Sequence, residues 1–233
     1  MNTSVLTKFY EEPPVDMGEI LRYMGCRKGE GQILSLAKDC LSEALPKLEY
    51  KVCYRQFAIH VEPCKTDLSF MVSYSRDLCG NLEGCTRAVL FAATCGIEID
   101  RLISKYGSIS PAKALCFQAI GAERIESLCN TFNEQIRRSF SEQGLLTKPR
   151  FSPGYGDFPL ETQKDIFSVL DCYRKIGLSL NDSLLMSPSK SVTAIIGLAP
   201  INSPAHKKVL SENAKGAQEK CALCTYTNCS FRR

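Results

Sequence analysis

No stretch of this chain approaches the roughly 18 consecutive apolar residues that crossing a bilayer requires, so a membrane-spanning role is not expected. The N-terminus, Met1 to Asp16, is polar and acidic and has no basic-then-apolar export pattern. The cytoplasm is therefore the expected compartment. Histidine occurs only at His60 and His206, neither in a His-Glu-x-x-His zinc motif. His60 falls within an expected strand and reads as structural rather than as a base. There is no phosphate-binding glycine loop followed by Lys-Ser/Thr, and no dinucleotide-binding fingerprint. A formal net charge of +4, with its cations scattered until the tail, argues against nucleic acid as a partner. No internal repeat and no low-complexity tract occurs.

What is present is an ordinary globular composition over 233 residues, with 44% hydrophobic and 23% charged residues, enough for a substantial core. Cysteine is abundant, at 13 residues. Ten of the cysteines stand singly within apolar or mixed segments, as Cys95 and Cys116 do. In a chain without an export signal, isolated thiols of this kind read as small core residues in a reducing compartment, not as a disulfide framework.

Helical periodicity runs from Met17 to Met24 and from Gln32 to Ala44, where Pro46 ends it. Tyr50 to Glu62 alternates and is rich in β-formers, which predicts one strand; Leu68 to Ser73 and Ala88 to Thr94 are two more. The last is continuously apolar, as a central strand buried on both faces would be. Asp77 to Gly84 reads as a short helix and Ile97 to Tyr106 as another. Ser110 followed by Pro111 is the clearest helix start in the chain, a capping hydroxyl before a residue whose missing N–H costs nothing there. From it an apolar stripe through Leu115, Ile125, Phe132 and Phe140 continues to about Gly144. A second helix is expected over Leu160–Ile176, with Gly177 at its C-cap. Leu178–Met186 and Ser191–Leu198 are expected to form a hairpin turned by Ser187–Lys190. These elements predict an α+β fold: a mostly antiparallel, twisted sheet flanked by helices.

Between the two long helices lies a Pro/Gly-rich loop, Arg150-Phe151-Ser152-Pro153-Gly154-Tyr155-Gly156-Asp157-Phe158-Pro159. Its composition leaves backbone N–H and C=O groups free, and its glycines allow close approach to the main chain. Arg150 adds a planar fork suited to a carboxylate. This is the layout of a site for a small zwitterion.

The loop, the helix after it and the segment beyond carry a resemblance. Arg150, Gly154, Tyr155 and Pro159, then Leu180-Asn181-Asp182-Ser183, Met186, Pro188 and Ser191-Val192-Thr193 follow a family pattern in order and spacing. That pattern resembles the activation domain of cobalamin-dependent methionine synthase, closely over Pro149–Pro200 and loosely back to Val15. The resemblance implies a domain spanning residues 1–202 of that fold, which binds S-adenosylmethionine. It would present the methyl group to cob(I)alamin held by a separate protein, as a stand-alone reactivation module. It further implies that Arg150 holds the ligand carboxylate and that main chain around Gly154, Tyr155, Gly156 and Asp157 contacts the rest. Glu126, on the preceding helix, would face the ligand's cationic groups. The family has Pro-Ala where this chain has Gly156-Asp157, so Asp157 either faces the ligand's positive charge or caps the next helix. The implied partners are a cobalamin-binding methionine synthase core protein and an electron donor such as a flavodoxin or ferredoxin.

Two features depart from the family. Ala199 to Pro204 lacks the aromatic pair many members carry, and the family's N-terminal acidic contact has no secure counterpart. Corrinoid domains of this class ligate cobalt through Asp-x-His-x-x-Gly, which is absent here. Beyond Asn202, residues 203–233 read as a linker and a cysteine-rich tail bearing Cys221, Cys224 and Cys229. Thiolates at Cys-x-x-Cys spacing suit zinc or an iron–sulfur cluster, with a fourth ligand from Cys26, His206 or a second chain. Two other readings stay open. One is a docking subunit for a corrinoid methyltransferase that has lost S-adenosylmethionine; the other is a metal or redox protein whose business is the tail.

Overall fold

The computed structural model describes residues 4–26 and 31–202. In chain order the elements are β1 (Leu6–Tyr10), α1 (Met17–Tyr23), α2 (Gly31–Ala44), β2 (Tyr50–Ala58), β3 (His60–Glu62), β4 (Lys65–Asp67) and β5 (Val72–Ser73). Then follow α3 (Arg76–Asn81), β6 (Arg87–Thr94), α4 (Glu98–Ile109), α5 (Pro111–Ser141) and β7 (Leu145–Thr147). The last are α6 (Gln163–Leu170), α7 (Cys172–Ile176), β8 (Ser179–Leu180), β9 (Met186–Ser187) and β10 (Ser191–Pro200).

The central sheet has five strands in the order β1-β2-β6-β10-β7, and every pairing is antiparallel. The apolar run of β6 lies in its middle, buried on both faces as its composition required. Alternation along the strand divides its side chains. Ala88, Leu90 and Ala92 join a core with Ile166, Leu170 and Ile176 from α6 and α7. Val89, Phe91 and Ala93 face Leu128, Phe132 and Ile136 of α5 on the other side. The N-terminal half of α5 belongs to a third core, where Phe117 and Ile120 pack with α1, α2 and α4. One 31-residue helix thus ties two cores together. It starts where Ser110 and Pro111 predict, with Ser110 Oγ accepting from Lys113 N.

Several boundaries differ from expectation. Tyr50–Glu62 is not one strand. Its first nine residues are β2 of the central sheet, while His60–Glu62 turns away to pair with β4 in a small three-stranded sheet, β3-β4-β5. Only Val72–Ser73 of the expected Leu68–Ser73 strand is extended. The helix expected over Leu160–Ile176 breaks at Asp171, which adopts φ 48° and separates α6 from α7. The expected hairpin is not formed. The segment before the Ser187–Lys190 turn pairs only with itself, β8 to β9, whereas β10 crosses to β6 and β7. A strand of ten residues buried on both faces gains more from two neighbours in the central sheet than from one short hairpin partner.

Close packing leaves no room for a side chain at Gly197 in β10 unless its neighbours shift. A Cβ there would stand 2.6 Å from Cys85 Sγ and 2.7 Å from Leu82 Cδ2. Overfilling a site of this kind costs about 1–3 kcal/mol. Gly197→Ala is expected to lose that much in urea unfolding, and an unchanged midpoint would mean that Cys85 and Leu82 move aside freely.

The reading of the isolated cysteines as core residues holds for eight of the ten and fails for Cys26 and Cys64. Of the ten cysteines there, all free, eight are buried, Cys26 is half-buried and Cys64 is exposed. Burial pushes the thiols of Cys85, Cys116 and Cys129 up to about 12, so they stay neutral and unreactive. His60 is exposed on β3 beside Glu62, 3.3 Å away.

Candidate functional site

The site grows from the outward face of α5 and from the chain that leaves β7. Glu126 and Asn130 stand one turn apart on the helix, so both side chains project the same way. Arg150 is brought to them because its neighbour Phe151 is locked onto β10, with reciprocal backbone bonds to Ile195 of 2.9 and 2.8 Å. One guanidinium arm, Nη2, pairs with Glu126. The other, Nη1, donates to Asn130 Oδ1 at 2.8 Å. With its amide oriented to donate to the Cys129 carbonyl, Asn133 offers its oxygen to the same arm at 2.8 Å. The Arg150 side chain is 21% exposed and that of Glu126 is 42% exposed.

Glu126 and Asn130 also form the rim of a trough of about 1130 Å³ that runs along α5. Its opposite wall is the N-terminal segment, with Asp16 and Tyr23 near Glu126 and with Lys8 and Tyr10 further along. Burial, and then the Glu126 charge, raise the Tyr23 phenol above its ordinary value. At the far end Gln135 Oε1 accepts from Lys8 Nζ at 2.5 Å and from Tyr10 Oη at 2.6 Å. A cleft of this size exceeds what a drug-sized ligand requires. Arg150 itself is not among the lining residues; it reaches the trough through Glu126 and Asn130.

The N-terminal wall is fixed by a buried ion pair. Arg124 meets Glu123 at two points, Nε–Oε2 and Nη2–Oε1, both 2.6 Å, and also donates to the carbonyls of Pro13 and Pro14 at 2.7 and 2.5 Å. Glu123 in turn accepts from Asp16 N at 2.9 Å, and Ser127 Oγ donates to the Pro14 carbonyl at 2.5 Å. Prolines cannot donate and their carbonyls need partners; α5 supplies them.

The Gly154–Asp157 stretch is less open than its composition suggests. The N–H groups of Gly154, Tyr155 and Phe158 bond to Phe158, Ser152 and Tyr155 carbonyls within the loop, and Asp157 N donates to Asp77 Oδ2 at 3.1 Å. Loop main chain expected to be free is therefore largely spent on the loop's own turns. Gly154 and Gly156 both have positive φ, and a side-chain carbon at Gly156 would run into the Asp77 carboxylate. Tyr155 is exposed, its ring edge-on to Phe151 at 5.9 Å.

Asp157 has a structural job. It accepts from the Ser75 hydroxyl and from the backbone N–H groups of Arg76 and Asp77, so it caps α3 rather than the helix that follows it. The Ser75 hydroxyl first, then the Arg76 N–H, hold its carboxyl below the usual range. A depressed folded pKa means that this stabilisation is present above the ordinary carboxylate range, about pH 4, and is lost as pH falls through the lower folded value. Asp157→Ala should therefore be less stable than the parent at neutral pH, with the gap closing in acid. A gap of equal size at neutral and strongly acidic pH would contradict this.

Of the six residues the sequence marks, Arg150 and Glu126 come together and Asp157 goes elsewhere, to the rim of a separate hollow of about 320 Å³ beside Tyr74 and Thr162. Asn130, Asn133, Asp16 and the Glu123–Arg124 pair were missed. Asn130 and Asn133 follow Glu126 at helical spacing, a signal that was legible; Asp16 and Arg124 carried none. Among the described residues no group of three or more His, Cys, Asp or Glu side chains is placed to hold a metal. Cys221, Cys224, Cys229 and His206 lie outside the described residues. No described helix is long and apolar enough to cross a membrane.

An antiparallel α+β chain that sets a guanidinium against a carboxylate beside a trough offers both charges that a small zwitterion pairs with. The family described as vitamin B12 dependent methionine synthase, activation domain, matches residues 82–203. That is more than half of the chain, which therefore belongs to this family. Among solved structures the chain is similar to one described as the crystal structure of the MetH reactivation domain bound to AdoHcy. The likeness has a TM-score of 0.61 at 14% identity and covers 86% of this chain and 80% of that one. At that identity it establishes the fold. Comparison with curated protein sequences finds no match.

Proposed function

We propose that the chain is a reactivation module that binds S-adenosylmethionine by its amino-acid end between Arg150 and Glu126. The observation that carries this is the pairing of Glu126, at the rim of the trough, with Arg150 behind it, in a chain of the activation-domain family. A guanidinium complements the ligand's carboxylate, and a carboxylate complements its ammonium. Tyr23 and Asp16, whose carboxylate also caps α1 by accepting from Glu19 N at 3.1 Å, line the same trough and are proposed to face the sulfonium. Asp16 is thus the residue proposed for the N-terminal acidic contact that the sequence left unassigned.

The chain has no Asp-x-His-x-x-Gly loop, and its described residues offer no cluster of ligands to a metal. The proposed methyl acceptor is a corrinoid on a partner protein, as the family implies, reduced by a flavodoxin or ferredoxin. In the transfer the methyl–sulfur bond breaks, a methyl–cobalt bond forms with the electron pair of the reduced metal, and a neutral thioether leaves. No proton changes hands, so no general base is required. The residues named here bind and orient; their contribution is to turn a bimolecular encounter into a docked one.

The test is transfer of labelled methyl from S-adenosylmethionine to cobalamin on a methionine synthase core protein, with a reductant present. Label should reach cobalt only when this chain is added, and transfer at the same rate without it would refute the reading. One observation favours a second reading, a docking subunit that no longer binds the ligand: Arg150 already has protein partners on both arms. A docking subunit would stimulate the core protein without binding S-adenosylmethionine. The spacing of Cys221, Cys224 and Cys229 supports a further role for the tail in holding zinc or an iron–sulfur cluster, checked by metal analysis and the spectrum of anaerobically purified protein.

A further inference from the structure

We infer that Glu126 is an internal stand-in for the ligand's carboxylate, and that a zwitterionic ligand enters by exchanging charges with the Arg150–Glu126 pair. The inference rests on the binding reading above and adds how the site selects its ligand. Arg150 presents its donors in a rigid fork. One arm is held by Asn130, with Asn133 beside it, and the other by Glu126. A carboxylate arriving from the trough therefore finds the Nη2 arm occupied. Asn130 and Asn133 are neutral amides that keep the fork aimed when Glu126 leaves. Glu126 is 42% exposed and lies at the trough rim, so it can swing off Arg150 without disturbing the backbone of α5.

The charge balance then favours one class of ligand. An α-amino carboxylate replaces one ion pair by two, its carboxylate on Arg150 and its ammonium on Glu126. A ligand with only the ammonium must draw Glu126 away and leave Arg150 unpaired. A ligand with only the carboxylate leaves Glu126 unpaired. Once a bound ligand covers the pair, a stranded charge has neither its partner nor water, which is how the site penalises half-charged ligands.

The exchange has a signature that a fixed, preformed pair would not give. S-adenosylhomocysteine, its decarboxylated counterpart and its deaminated counterpart are titrated into the full chain and into Arg150→Gln and Glu126→Gln. Arg150→Gln releases Glu126, so affinity for the decarboxylated compound should rise about tenfold, the lower range for a charge-assisted hydrogen bond. Glu126→Gln releases Arg150, so affinity for the deaminated compound should rise by a similar factor. Both variants should lose at least that much affinity for the intact zwitterion. Circular dichroism and urea midpoints confirm the fold, and Arg150→Lys and Glu126→Asp repeat the comparison should either glutamine variant misfold. If S-adenosylhomocysteine binds the parent but neither half-charged compound gains, the exchange is wrong while the binding reading stands. If S-adenosylhomocysteine does not bind the parent at all, both fall.

Discussion

Arg124→Met should lose about 3–5 kcal/mol of stability, the usual cost of removing one member of a buried ion pair. The guanidinium is fully buried, Glu123 is 4% exposed, and among the described residues no second cation pairs with that carboxylate. Burial alone works against the Arg124 charge. The hydrogen bonds and charge of Glu123 outweigh it, and the net effect raises the arginine's pKa. Removing Arg124 leaves the Glu123 charge without its cation and the Pro13 carbonyl without its donor, while the Pro14 carbonyl keeps Ser127 Oγ. Against a total of about 5–15 kcal/mol for a domain, this is a large fraction. Replacing Glu123 and Arg124 together by apolar residues should recover part of the loss, because no buried charge then lacks a partner. Urea unfolding at neutral pH measures both. A single variant within 1 kcal/mol of the parent, or a double variant no better than the single, would contradict this account of how the N-terminal wall is held.

Arg150→Ala should have the opposite profile: little change in stability and a large loss of ligand binding. The Arg150–Glu126 pair is partly solvated, and pairs of that kind contribute about 0–1 kcal/mol to folding. Its worth lies in the complex. Loss of a charged hydrogen-bonding pair to the ligand carboxylate should cost about 2 kcal/mol, roughly thirtyfold in Kd. Calorimetry with S-adenosylhomocysteine, beside a urea curve for the same variant, separates the two effects. A variant that binds as tightly as the parent removes Arg150 from the site. One that unfolds early makes it a structural residue instead.

The parts of the fold that were legible in the sequence share a property: their signals are local. Ser110 and Pro111 mark the start of α5 because capping involves residues three apart. The unbroken apolar run of β6 marks a central strand because burial on both faces leaves no polar position. What was not legible depends on distant partners. Asp157 finds the N-terminus of α3 some eighty positions away, and nothing in its loop distinguishes a helix cap from a ligand contact. The break at Asp171 falls at neither Gly nor Pro; a left-handed aspartate carries it. Glu123 and Arg124 are adjacent on a helix, where neighbours do not normally face each other. They meet because a Pro-Pro segment from the N-terminus covers them and needs the arginine's donors. The site was half legible for the same reason. Arg150 is marked by its loop and Glu126 by the family resemblance, but that they touch, and that Asn130 and Asn133 hold the fork, is a matter of how β7 delivers the chain to α5.

The central claim is that the Arg150–Glu126 face of α5 holds the amino-acid end of S-adenosylmethionine. Titrating S-adenosylhomocysteine into isotopically labelled protein and following its amide and arginine side-chain resonances tests this most directly. Saturable changes should gather at the Arg150 guanidinium and at residues 126–130, spreading across the trough to Asp16 and Tyr23. No saturable change, or changes gathered at the hollow beside Asp157 with Arg150 untouched, would contradict it.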